Sequence, residues 1–182
     1  MLKQIILSIV LFSCLAGAAF YQEENSVLRT RDELSQNARA FFVALSKGDR
    51  RFFDSFFADD VEVKINSVTI NGKQEYIERL NRIANVIFED MTFDDLHVHT
   101  NYFSPDAIRT NGKTFGEFRP EATIWTNAWA INHAVGRTTK KKVSVPLHLD
   151  FRWVGGKVVQ MLGYYDPTNM NEEIAALEAS KQ

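Results

Sequence analysis

Between residues 142 and 154 the chain alternates: Val143, Val145, Leu147, Leu149, Phe151 and Trp153 are separated by Ser144, Pro146, His148, Asp150 and Arg152. Successive side chains of an extended strand point to opposite faces, so one face is apolar and the other carries imidazole, carboxylate and guanidinium in a row. A histidine beside a carboxylate is the smallest set of groups that can give and take a proton near neutral pH. Two placements are open. If the apolar side packs against helices, His148, Asp150 and Arg152 lie on an outer face, in solvent or against a second copy of the chain. If the sheet bends the row inward, His148 and Asp150 form an acid/base pair in a dry site, where burial shifts their proton affinities.

Tyr165 and Asp166, at the end of a strand predicted over 157–165, add a phenol and a carboxylate. Asp166 precedes Pro167, a position where aspartate also serves as a turn or cap residue. His97 and His99 flank Val98 and would share one face of a strand. Two imidazoles and a carboxylate can hold a metal, but no third ligand accompanies this pair and a polar outer face accounts for it, so no metal is expected. A neighbouring row, Thr123, Trp125, Asn127, Trp129, Ile131 and His133, shares a face with either Leu149 or His148, according to the register of the hairpin through Gly136–Lys141; a slip of one residue reverses every side chain. Trp125 and Trp129 are too large for casual exposure and line either a pocket mouth or a contact between sheets. There is no Gly-x-Ser-x-Gly elbow, phosphate loop, dinucleotide fingerprint or Cys-x-x-Cys, and no cofactor is expected.

The elements that must position these groups begin with a helix. Leu34, Ala38, Phe41, Phe42 and Leu45 recur at helical spacing, Gly48 supplies a C-cap, and Asp49 can cap a second helix carrying Phe52, Phe53, Phe56 and Phe57. Those phenylalanines read as core, with one or two available to floor an aromatic pocket. Asp59-Asp60 leads into a strand over 61–70, Asn71-Gly72 turns the chain, and a third helix runs from about 73 to 88. Thereafter the pattern is wholly β: 91–102, 106–110, 114–134, 142–154 and 157–165, punctuated by Ser104-Pro105, Asn111-Gly112, Gly136-Arg137 and Gly155-Gly156. Residues 169–179 have acidic groups early and a weak apolar face, which predicts a loosely docked terminal helix. The resulting fold class is α+β, with helices covering one face of a strongly bent, largely antiparallel sheet.

The helix-Lys47-Gly48-Asp49-helix opening, the Phe57-Ala58-Asp59-Asp60-Val61 step and the closing Gly156-Lys157-Val158-Val159 with Tyr164-Tyr165-Asp166 resemble the nuclear-transport-factor-2-like superfamily, SnoaL-like branch, over residues 31–167. The resemblance implies a cone-shaped fold with a pocket between sheet and helices, and Phe41, Phe56, Trp125, Asn127, Trp129 and Tyr165 are the candidates for lining it. It also includes ketosteroid isomerases, whose catalytic constellation is not matched: Ile65 stands where those enzymes place a carboxylate base, Phe41 where they place a donating tyrosine, and Leu149 or His148 where they place a protonated aspartate. The carboxylate pair and arginine of epoxide hydrolases have no match either. Fold alone does not select a reaction.

With 182 residues, 45% hydrophobic and 12% aromatic, the chain can bury one real core. A net charge of −2 and no basic stripe argue against nucleic acid; Arg137, Lys140, Lys141 and Lys142 fit a solvated hairpin tip. Lys3, the apolar run 5–15 and the small residues 16–19 predict a signal peptide over 1–19, followed by a polar tether over 20–30. The apolar run falls short of the roughly 20 residues of a spanning helix. Cys14, the single cysteine, sits in a segment resembling a lipobox and is the candidate lipidation site. The expectation is therefore an exported protein, periplasmic or secreted, touching a membrane only through its signal peptide or a lipid, and pairing as a homodimer through its sheet. Two function classes follow: a binding or carrier domain for a small apolar molecule, or a cofactor-independent isomerase, dehydratase or cyclase using one carboxylate or histidine among His148, Asp150, Tyr165 and Asp166. A purely structural or assembly role is the third possibility.

Overall fold

The computed structural model describes residues 27–103 and 123–181. The signal peptide, Cys14, most of the tether, the 106–110 strand, the start of the 114–134 strand and the Ser104-Pro105 and Asn111-Gly112 turns lie outside the described residues. In chain order the elements are β1 (Val27–Arg29), α1 (Glu33–Lys47), α2 (Arg50–Phe56), β2 (Phe57–Ile65), β3 (Val68–Asn71), α3 (Lys73–Arg82), a π-helical turn (Ile83–Ile87), β4 (Phe88–Tyr102), β5 (Ile124–Gly136), β6 (Lys142–Val154), β7 (Lys157–Tyr165) and α4 (Thr168–Ala179). The seven strands among the described residues form one open sheet in the order β1-β4-β5-β6-β7-β2-β3. All neighbours are antiparallel except β2 and β7, which run parallel.

The helical opening forms as its residues dictate. Asp32 Oδ1 accepts the Ser35 amide and Asp49 Oδ1 accepts those of Arg51 and Phe52, so each helix starts on a side-chain cap. Gly48 ends α1 with φ of 62°, a left-handed value that favours glycine. Phe41 then meets Phe42, Phe53, Phe56, Phe57 and Phe151 at ring distances of 5.3–6.1 Å. This aromatic cluster, with Phe56 also against Trp153 at 5.2 Å, welds α1 and α2 to β6. A buried chain of hydroxyls crosses the same layer: Ser35 to Thr100 at 2.8 Å, Thr100 to Thr126 at 2.7 Å, and the Trp153 indole N–H to Thr126 at 2.8 Å.

Several boundaries differ from the sequence expectation, each for a local reason. The single strand over 61–70 is a hairpin: β2 opens four residues early at Phe57, and the chain turns at Asn66-Ser67 with Asn66 at φ 51°. Asparagine tolerates that left-handed geometry, and its amide is held by the backbone of Tyr165. The aspartate step is inside β2, where Asp59 pairs with the buried Lys73 ammonium at 2.6 Å. The third helix stops being α at Arg82 and widens into the π turn before Phe88 starts β4. Val27–Arg29, assigned to the tether by composition, pair with β4. Asp90 and Asp95 adopt φ of 53° and 51° at two irregularities in the β4–β5 register, bulges that bend the sheet around the helices.

The terminal helix is firmly held rather than loosely docked. Glu173 of α4 is 3% exposed and accepts the amides of Thr138 and Thr139 and, at 2.6 Å, the Thr139 hydroxyl. Gly136 leaves room for this carboxylate, since a Cβ there would fall 2.2 Å from Glu173 Oε2. The basic residues of the hairpin tip are also anchored: the Arg137 Nε donates to the Phe88 carbonyl at 2.7 Å, and Lys141 pairs with Glu172 at 2.7 Å.

Candidate functional site: an apolar cavity on one face, a histidine-aromatic cluster on the other

The register of β5 with β6 decides what each face of the sheet can do. Val135 lies opposite Lys142 and Trp129 opposite His148, so Trp125, Asn127 and Trp129 share the face of Arg152, Asp150 and His148. Ala128, Ala130, Leu149, Phe151 and Trp153 point the other way and are buried beneath the helices. The first placement of the His148 row is therefore the one the chain adopts.

On the inner face, between sheet and helices, lies a cavity with a mouth at α4. Its volume is about 90 Å³. Phe41, Leu80, Met91, Leu147, Leu149 and Met161 supply its apolar wall. The polar groups on the wall are few: Tyr76, Asn132, Tyr165, Asp166 and Asn169. Tyr76, on the buried face of α3, donates its hydroxyl, among the described residues, only to the Met161 thioether at 3.2 Å. Burial, and after it the neighbouring Tyr165, pushes this phenol far above its ordinary value, so it stays protonated and is a hydrogen-bond donor. Asn132 spends an amide hydrogen on the Thr92 carbonyl.

Tyr165 reaches the cavity because β7 pairs it with Leu147, an inner-face residue, whereas Tyr164 opposite His148 points out. Asp166, at the mouth, accepts the backbone amide of Thr168 at 2.9 Å and its hydroxyl at 2.6 Å. The side-chain bond first and the backbone bond second hold its carboxyl below the usual carboxylate range. Asp166 thus ties down the turn that leads through Pro167 into α4 while remaining on the cavity wall. Of the six predicted lining residues, Phe41 and Tyr165 line the cavity. Phe56 is packed behind Phe41 in the aromatic cluster, with ring planes stacked at 5.4 Å. Trp125, Asn127 and Trp129 are on the opposite face of the sheet and do not reach the cavity, because the hairpin register sends the whole row outward. Sequence reasoning missed Tyr76, Leu80, Met91 and Met161, which fall within the expected third helix and strands but were not singled out as lining a site.

The outer face carries the other half of the chemistry. His97 stacks on Trp129 at 4.6 Å, His99 meets the same indole edge-on at 5.4 Å, and His148 packs against it from β6 at 5.4 Å. His148 Nε2 sits 2.9 Å from Asp150 Oδ1 but off the line of a hydrogen bond. Asp150 takes its hydrogen bond from the Asn127 amide at 2.5 Å. Burial, then the nearby His97 and His148, lowers the proton affinity of His99. Trp129 is 41% and Tyr164 52% exposed, so the cluster forms a surface rather than a pocket. Among the described residues, no group of three or more His, Cys, Asp or Glu is placed to hold a metal, and no helix is long and apolar enough to cross a membrane.

Solved structures share this architecture. An inferred polyketide cyclase from Xanthomonas campestris pv. campestris superposes with a TM-score of 0.56 at 18% identity, over 77% of this chain and 95% of its own. A second, from Pseudomonas putida KT2440, gives 0.55 at 17% identity over 75% and 94%. An inferred SnoaL-like polyketide cyclase from Shewanella putrefaciens CN-32 gives 0.52 at 14% identity over 77% and 94%. The chain has the SnoaL-like, nuclear-transport-factor-2-like fold. No family model and no curated protein matches it by sequence. At these identities what is shared is the fold, and the chemistry has to be argued from the side chains of this chain.

Proposed function

We propose that this SnoaL-like protein binds a small, mainly apolar molecule in the cavity between α1, α3, α4 and the inner face of the sheet. The observation that carries the reading is the composition of the wall: aliphatic, aromatic and thioether groups surround a hollow in which the deeply buried hydroxyl of Tyr76 lacks a strong partner among the described residues. Such a site gives affinity through apolar burial and orientation through one or two polar groups. Native mass spectrometry of protein isolated from its source tests it directly. A retained small molecule that is lost from a Leu147→Trp variant is expected, and binding undiminished by that substitution would end the reading.

An enzymatic reading survives only in reduced form. His148 and Asp150 are separated from the cavity by the sheet itself, which leaves Asp166 and Tyr165 as the candidate groups on the cavity wall. A carboxylate held ionised by Thr168 is a weak base, which favours binding over proton transfer. The predicted export through the 1–19 segment, with lipidation at Cys14 as its variant, places this binding outside the cytoplasm as part of the same proposal. The outer face around Trp129 is proposed as the homodimer contact.

A further inference from the structure

Next to the apolar cavity is a second, more polar hollow, and the two share four wall residues: Ile65, Ile83, Tyr165 and Met170. The charged groups on the wall of the second are Glu78, Arg79 and Arg82, all from the end of α3. Glu78 is already neutralised by Arg50 at 2.5 Å. Neither arginine pairs with a carboxylate among the described residues, and the Nε of Arg79 is buried with no hydrogen-bond partner. Basic residues at a helix C-terminus complement the helix dipole, and that suffices for the exposed Arg82. It does not account for a dry guanidinium N–H in Arg79, since buried donors are ordinarily satisfied. The partition between the hollows is soft: Met170 has an unbranched, adaptable side chain, and Ile83 opens the π turn, where the helix is already widened.

We propose that the ligand is an amphiphile with one anionic group, its apolar body in the cavity and its carboxylate or similar oxyanion on Arg79 and Arg82. A guanidinium fork suits a planar oxyanion, and both arginines are on the wall of the hollow without a carboxylate partner among the described residues. The proposal rests on the apolar-binding reading and adds the head-group chemistry to it.

The test uses the purified protein, a neutral fluorescent naphthylamine as reporter, and decanoate and 1-decanol as competing probes of equal chain length. Decanoate is expected to displace the dye, and Arg79→Gln to weaken decanoate about tenfold or more while changing decanol less than twofold. Arg82→Gln, at an exposed position, is expected to weaken decanoate by a smaller factor. Raising salt from ~0.05 to ~0.5 M is expected to weaken decanoate and leave decanol unchanged in the unmodified protein, a readout that does not depend on any variant folding. Decanoate and decanol equally insensitive to Arg79, Arg82 and salt would overturn the head-group assignment and leave the apolar cavity standing. Failure of the dye and both probes to bind would overturn both.

Discussion

The two faces of the central sheet use the same strands for opposite ends. Leu147 and Leu149 line a cavity with hardly a charge in it, while one residue away His148 and Asp150 sit on a surface crowded with three imidazoles and an exposed tryptophan. The inner face has space but almost no acid or base; the outer face has acids and bases but no enclosed space. General acid-base catalysis needs both in one place. Their separation by the thickness of one β-sheet is the main reason to read the cavity as a binding site, and it leaves the outer cluster for contact with another surface.

The largest expected effect comes from filling the inner face. Leu147→Trp should lower affinity for a neutral apolar dye by tenfold or more with the thermal transition retained, measured by fluorescence titration. The converse is the sharper half of the comparison: His148→Ala and Asp150→Asn should change that affinity less than twofold, and a large loss from either would mean that the two faces are coupled. Next in size is the hold on α4. Glu173→Ala strips the acceptor from the Thr138 and Thr139 amides and should cost about 2 kcal/mol in urea unfolding, with the dye site loosened because Asn169 and Met170 of the same helix line the cavity.

On the outer face, Trp129→Glu should shift the protein toward monomer in sedimentation at micromolar concentration while sparing dye binding. A wild-type monomer under those conditions would remove the dimer proposal. The smallest effect is the pH dependence. Because burial, with His97 and His148, holds the His99 proton affinity below its unfolded value, the unfolded chain takes up the proton first as pH falls. The stability linked to His99 is full above about pH 6.5 and declines as the pH drops below it toward the folded value. His99→Gln should flatten that decline between pH 7.5 and 5.5 in urea midpoints; an unchanged slope would mean that the cluster is looser than its ring contacts indicate.

The legibility of these features in the sequence follows their physical range. The Phe-rich pair of helices, their aspartate caps and the glycine between them were readable because they depend on neighbours within a turn or two of chain. The alternation of β6 was equally plain. The hairpin at Asn66 was missed, since Asn-Ser is a weaker turn signal than the Asn71-Gly72 that follows it. Tyr76 falls inside the helix expected over 73–88, but nothing in the sequence marks it as functional. Its hydroxyl matters only because Met161, 85 residues away, offers it a poor acceptor.

What the sequence determined by itself is the period of each element and the chemistry of each row: which residues must share a face, and that His148, Asp150 and Arg152 travel together, opposite Leu147, Leu149 and Phe151. What only the tertiary structure decided is which row of β5 joins them, which face meets the helices, and that α4 closes over the hollow through Glu173. The reason is the two-residue repeat of a strand. Pairing register is set by long-range contacts, and a shift of one residue would have put Trp125, Asn127 and Trp129 inside the cavity instead of outside it.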